Sequence, residues 1–202
     1  MHKSFLMRFL VAALLSGAAW AQGIQNNDMF FSGGPVWNQA HVIGGTNVPL
    51  GGSTGFSIQT DYGYQVARAS AASLMLDVSF VFPNPGALKA NVPVSNGSSS
   101  WDAITLGLRF MVPVNSRLSF YAVSGGGFGA FSSPYVTGGA NPSVSTYDTV
   151  HGVFAFGGGA DVRLSRWFSL RAEVRDLVTG RELSGTAGRE HVLPFFGVAV
   201  HH

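Results

Sequence analysis

The stretch from Gly157 to Arg175, GGGADVRLSRWFSLRAEVR, alternates apolar and polar residues on both sides of a break at Ser165-Arg166-Trp167. Alternation sends successive side chains to opposite faces of an extended strand, so two such runs joined by a short break predict a β-hairpin. Asp161, Arg163, Arg171, Glu173 and Arg175 share one parity, and Val162, Leu164, Phe168, Leu170, Ala172 and Val174 share the other. A ribbon this amphipathic has two homes. It packs its apolar face on a core in water, or it turns that face to lipid and encloses its charges in a closed barrel.

Composition favours lipid. Charged residues make up 11% of the chain and hydrophobic residues 46%, with a mean hydropathy of +0.24. Soluble domains carry about 25% charged residues. Yet no apolar run beyond the N-terminus approaches the roughly 20 residues of a spanning helix. Low charge without such helices suits a transmembrane β-barrel, in which alternation dilutes the apolar residues.

The N-terminus reads as an export signal over residues 1–21. Lys3 and Arg8 form its basic region, Phe9 to Leu15 its apolar region, and Ala19-Trp20-Ala21 a cleavage site before Gln22. Residues 22–202 are then a single barrel domain, with no linker or composition shift to mark a second one. Removing the leader takes two of the 12 Lys and Arg and none of the 10 Asp and Glu, so the mature chain is near neutral. That removes the electrostatic case for a nucleic-acid partner. The absence of cysteine excludes disulfides, thiol chemistry and a lipid-acceptor cysteine.

Period-two reading gives eight strands, hence an all-β, eight-stranded, antiparallel up-and-down barrel. They run at about Phe30 to Val42, Phe56 to Val66, Leu74 to Phe82, Ile104 to Val112 and Leu118 to Phe131, then the two arms of the hairpin, then His191 to Val200. Three connections are short: Ala67 to Ala71, Pro113 to Arg117, and Ser165 to Trp167. The alternating ones are longer and rich in Gly, Pro, Asn, Ser and Thr: Gly44 to Gly55, Pro83 to Ser100, Ser132 to Thr146, and Gly180 to Arg189. Short turns on the periplasmic side and long loops outside are the pattern of an outer-membrane barrel, and both chain ends then lie in the periplasm.

Carrying the hairpin's parity through the other strands predicts a charged lumen. Asp61, Asp77, Asp161 and Glu173 face inward with Arg109, Arg163, Arg171 and Arg175, four of each sign. A narrow interior demands such balance, because a buried unpaired charge is costly. Opposed residues share a face, so the turn at Ser165-Arg166-Trp167 sets Asp161 against Arg171 and Glu173 against Gly159. A similar turn centred on Ala69 sets Asp61 against Asp77, with Arg109 expected between the two carboxylates to offset their repulsion. An acid–base dyad is the rival reading of that carboxylate pair, and a structural network is favoured over it.

Other chemistry is thin. His41, His151, His191, His201 and His202 show no metal-ligand spacing, and the last two point to opposite faces of a strand. Glu190 and His191, with Ser184 on the adjoining loop, form a loose polar set at the outer rim. Gly157-Gly158-Gly159 precedes no helix and is no phosphate loop, so no cofactor is expected. Trp37, Trp101 and Trp167 suit interface belts, with Trp167 beside a turn the best placed.

The run Gly157 to Asp176 resembles the penultimate hairpin of the outer-membrane-protein β-barrel family, small barrels akin to the OmpA-like transmembrane domain. The resemblance lies in the glycines, the inward acid, Leu164-Ser165, an aromatic, and Leu170-Arg171-Ala172-Glu173-Val174-Arg175. The last strand, Phe195-Phe196-Gly197-Val198-Ala199-Val200-His201-His202, is similar to the family's assembly signal for the barrel-insertion machinery, but ends in His202 where the family closes with an aromatic. The resemblance implies a structural or surface-exposed role and supplies no catalytic residues. The expectation is therefore a monomeric outer-membrane barrel, contacting outer-membrane lipids, with a plugged lumen and no enzymatic activity. A narrow pore and a lipid-modifying enzyme are the rival functions, and a soluble lipocalin-like barrel is the rival structure.

Overall fold

A computed structural model describes residues 27–38, 41–42, 49–50, 53–69, 71–84, 100–137, 143–179 and 189–202. The proposed leader, Ser184, and most of the long loops lie outside the described residues. Eight strands close into an antiparallel barrel: β1 (Asn27–Asn38), β4 (Ser53–Arg68), β5 (Ser73–Asn84), β6 (Ser100–Pro113), β7 (Leu118–Thr137), β8 (Ser143–Arg163), β9 (Phe168–Thr179) and β10 (Arg189–His201). A two-residue ribbon, β2 (His41–Val42) with β3 (Pro49–Leu50), sits in the connection from β1 to β4. Each barrel strand pairs with its sequence neighbour, and β1 pairs with both β4 and β10, so the sheet has no free edge around the wall. Closure satisfies every wall strand's backbone groups from within, as a hydrocarbon solvent requires.

The outward parity is an apolar belt. Ile58, Leu106, Phe120, Phe154, Phe168, Val174 and Phe196 all project from the wall, with Phe196 62% and Leu106 55% exposed on the isolated chain. In water such a continuous surface is untenable; in lipid it is the ordinary outer face. The inward parity is filled.

Two turns are fixed by side-chain caps. Asn115 Oδ1 accepts from the backbone N–H groups of Arg117 and Leu118 at 2.8 and 2.9 Å. Ser165 Oγ accepts from those of Trp167 and Phe168 at 3.2 and 3.1 Å. Ser and Asn favour turns for this reason. The opening hairpin has the anticipated register, Asp161 opposite Arg171 and Gly159 opposite Glu173.

Two expectations are corrected. Asp61 lies opposite Ser79 and Asp77 opposite Gly63, not opposite each other. The turn is later than Ala69, closed by the Ala69 N–H to Ala72 carbonyl bond, and a β-bulge between Gln65 and Ala67 takes up one residue. The net slip is even, so both carboxylates keep their inward face. Second, most of Ser132 to Thr146 is strand rather than loop: β7 and β8 stay paired out to Thr137 opposite Ser143. Apolar/polar alternation reports lipid against lumen, so it vanishes above the membrane, while the β-branched and aromatic residues Tyr135, Val136, Thr137, Val144, Thr146 and Tyr147 still favour extended backbone.

Candidate functional site: the lumen and its turn-end mouth

The inward side chains form two layers. The layer nearer the turns is ionic. Arg109 on β6 reaches across the barrel, its Nη1 donating to both oxygens of Asp28 on β1 at 2.9 and 3.0 Å, and its Nη2 donating to Asp77 on β5. That Nη2 also lies 3.9 Å from Asp61. Arg109 thus sits between Asp61 and Asp77, as expected, although the register beneath it differs. Arg171 on β9 binds Asp161 through Nε at 2.9 Å and Asp28 through Nη2 at 2.6 Å. Arg175 binds Glu173 through Nε at 2.6 Å and reaches Asp61 and Asp77 through Nη2, each at 3.3 Å. All three guanidinium groups are buried. Planar, multi-donor guanidinium is the group that can serve several carboxylates at once.

Three further members carry no charge or went unread in the sequence. Gln59 Nε2 donates to Asp61 at 2.6 Å and to Glu173 at 3.0 Å. The Tyr121 hydroxyl donates to Glu173 at 2.8 Å, and its ring lies 5.4 Å from the Arg171 guanidinium and 5.5 Å from that of Arg109. Asp28 is the third. The first strand begins earlier than Phe30, and extending its parity by two residues would have found this acid. Arg163 is the opposite case. It has the inward parity but stands at the mouth, exposed, and pairs with no carboxylate among the described residues. The buried network is therefore five carboxylates around three arginines rather than four of each.

Inward glycines make the room for these side chains. A Cβ at Gly63 would stand 2.8 Å from Asp28 Oδ1 and 3.2 Å from Arg109 Nη1. Those positions are empty of side chain so that long ones from other strands can cross.

The second layer, toward the long loops, is apolar. Val36, Val81, Trp101, Phe131, Leu177, Leu193 and Phe195 belong to one buried cluster inside the barrel. Trp101 is thereby corrected: it is 5% exposed and stacks on Phe131 at 6.0 Å within the lumen, not in an outer belt. Trp167, 41% exposed beside its turn, does face outward. His191 is buried against the Trp101 ring at 5.0 Å, while Ser184 and the Glu190 side chain, the other members of the rim set, lie outside the described residues. The His151 ring lies tilted against that of Phe131, centroids 5.7 Å apart.

One constellation at the mouth looks catalytic. Ser169 Oγ lies 2.9 Å from His201 Nε2 and donates to Asp161 at 2.8 Å. The wiring is wrong for a nucleophile. An activated serine gives its proton to histidine, and the histidine is held by the acid; here the serine proton is committed to Asp161, which Arg171 already binds, and Ser169 is fully buried. The arrangement is a structural tether of the last strand to the network.

No family model matches the sequence, and no curated protein matches it. Solved structures do. Neisserial surface protein A aligns with a TM-score of 0.55 at 15% identity, covering 86% of this chain and 95% of that one. Ail, the attachment invasion locus protein of Yersinia pestis, aligns with a TM-score of 0.50 at 13% identity, covering 89% and 100%. The chain has the fold of the small eight-stranded outer-membrane barrels.

Proposed function

We propose that the protein is an integral outer-membrane barrel whose wall is a sealed scaffold and whose role is non-catalytic contact at the cell surface. The observation that carries this reading is the β7–β8 hairpin. Pairing of β6 with β7 ends at Ser100 opposite Ser132, and pairing of β8 with β9 begins at Val153 opposite Thr179. Beyond those points, among the described residues, Ser133 to Thr137 pair only with Ser143 to Tyr147, and Asp148 to Gly152 pair only with Phe128 to Ser132 on β7. The paired ribbon rises about 17 Å past the β6 side of the wall, at roughly 3.4 Å per residue.

Among the described residues its β8 side has no partner over the ten residues Ser143 to Gly152, which include no Lys, Arg or Pro. Natural edges are normally blunted by those residues. An edge left plain suits addition of an extended segment from a partner protein. Short turns and both strand ends at the opposite rim orient the hairpin outward, with outer-membrane lipids on the apolar belt and the insertion machinery engaging β10. The monomer needs no second copy to close its sheet.

Replacing residues 133–147 by Asn-Gly joins Ser132 to Asp148 through a favoured two-residue turn. Cells displaying that variant are expected to lose the surface adhesion conferred by the full chain, while the barrel keeps its heat-sensitive electrophoretic mobility. Adhesion equal to that of the full chain would remove the hairpin's role. The pore reading has its own measurement. With an ionic layer stacked on an apolar one, planar bilayers containing the protein are expected to show no current steps above baseline, and resolved unitary steps would favour conduction.

A further inference from the structure

All three short turns bring an arginine to the same place. Arg68 ends β4, Arg117 ends the second turn and Arg163 ends β8, and all three line a cavity of about 280 Å³ at the turn-end mouth. The Arg163 N–H donates to the Arg117 carbonyl at 2.7 Å, so these two residues lie opposite each other at the end of the β7–β8 pair, and both line the cavity. None of the three has an ion-pair partner among the described residues. In the cavity wall, Asn27 is 5% exposed and its Oδ1 has no hydrogen-bond partner. The floor is Asp28 and Asp161, whose carboxylates are already held by Arg109 and Arg171. Above the floor the ionic and apolar layers close the lumen, so the cavity is reached from the turn end.

We infer that this mouth is a binding site for a small phosphate ester, the phosphate bridging Arg117 and Arg163 and a hydroxyl or ammonium of the same molecule donating to Asn27 Oδ1. Two arginines that line one cavity without an ion-pair partner among the described residues repel, and a phosphate can accept from both at once. The orphan acceptor calls for a donor that bare phosphate does not offer. The volume sits just below the roughly 300–1,000 Å³ of pockets for drug-sized ligands, which suits a glycerol phosphate or a phospholipid headgroup. The competing explanation is that the three arginines offset, at a distance, the excess of carboxylates in the lumen. That would not require them to share a cavity, and it leaves Asn27 unexplained.

The test uses the full chain folded in a non-ionic, phosphate-free detergent, with folding of each variant checked by heat-sensitive mobility. Glycerol 3-phosphate is titrated calorimetrically, and co-purified phospholipid is read by native mass spectrometry. Saturable binding of glycerol 3-phosphate without retained lipid assigns the site to a soluble ester. A retained phospholipid that glycerol 3-phosphate displaces assigns it to a headgroup. In either case Arg117→Gln with Arg163→Gln is expected to weaken binding about tenfold or more, the loss of charge-assisted hydrogen bonds. Asn27→Leu is expected to weaken glycerol 3-phosphate more than inorganic phosphate. Arg166→Gln is the control, since that guanidinium lies over the Trp167 ring at 5.0 Å and does not line the cavity. No binding by either readout, or equal weakening by Arg166→Gln, overturns the inference.

Discussion

Arg109→Met is expected to destabilise the barrel by about 3–5 kcal/mol, the cost of breaking a buried ion pair by removing one partner, or to prevent folding. Arg109 binds Asp28 and Asp77, approaches Asp61 and is fully buried, so no water replaces it. Its loss leaves five carboxylates to Arg171 and Arg175 alone. The penalty comes from the abandoned acids more than from the missing bonds. Adding Asp77→Asn and Asp28→Asn to Arg109→Met should therefore recover part of the loss, a coupling that additive contributions exclude. Arg109→Lys keeps the charge but not the planar set of donors, so it should fall between wild type and Arg109→Met. Urea unfolding in lipid vesicles, followed by tryptophan fluorescence and heat-sensitive mobility, gives the order. An Arg109→Met midpoint equal to that of wild type would remove the network from the stability of the fold.

How far the sequence reached depended on which physical signal each residue carried. The Asp161–Arg171 pair was legible because a short turn without a bulge transmits parity and register together, and the pair is found at 2.9 Å. The Asp61 and Asp77 register was not, because a bulge near Val66 is written in backbone geometry rather than in hydropathy. Strict charge balance was too strong a constraint, since the buried set holds five carboxylates to three arginines. Parity says which way Arg163 points and nothing about depth, and two residues from the turn it meets solvent rather than the lumen. Asp28 was lost because the first strand's inward positions Phe30 and Val36 are apolar, which blurred the alternation that would have extended it. The same blurring marks the apolar layer: where the lumen is dry, strands are apolar on both faces, and Trp101 reads like a belt residue until the register is known. Gln59 and Tyr121 carry no formal charge, so a count of charges passed over them, although they complete the network's hydrogen bonds.

Gly159→Val is the other large effect expected, and its sign depends on the neighbours rather than on glycine itself. A Cβ at Gly159 would lie 2.2 Å from the Ala172 carbonyl oxygen and 2.6 Å from the Tyr121 hydroxyl. The first is backbone of the adjacent strand and cannot step aside; the second is fixed by its bond to Glu173 and flanked by two guanidinium groups. Overpacking usually costs about 1–3 kcal/mol, and a clash with paired backbone places this variant at about 3 kcal/mol or above. Gly152 shares β8 but faces outward, with nothing within 4 Å of a built Cβ. There a side chain meets open space and the unfolded chain loses freedom, so Gly152→Ala is expected to be neutral or stabilising by about 0.5 kcal/mol. Tyr121→Phe in the Gly159→Val background relieves the hydroxyl contact but leaves Glu173 without that donor and the carbonyl clash in place, so it should rescue little. Unfolding midpoints of the three variants decide between steric and conformational accounts of the strand glycines. Similar losses at Gly152 and Gly159 would mean that backbone freedom, and not space for the crossing side chains, keeps glycine on this strand.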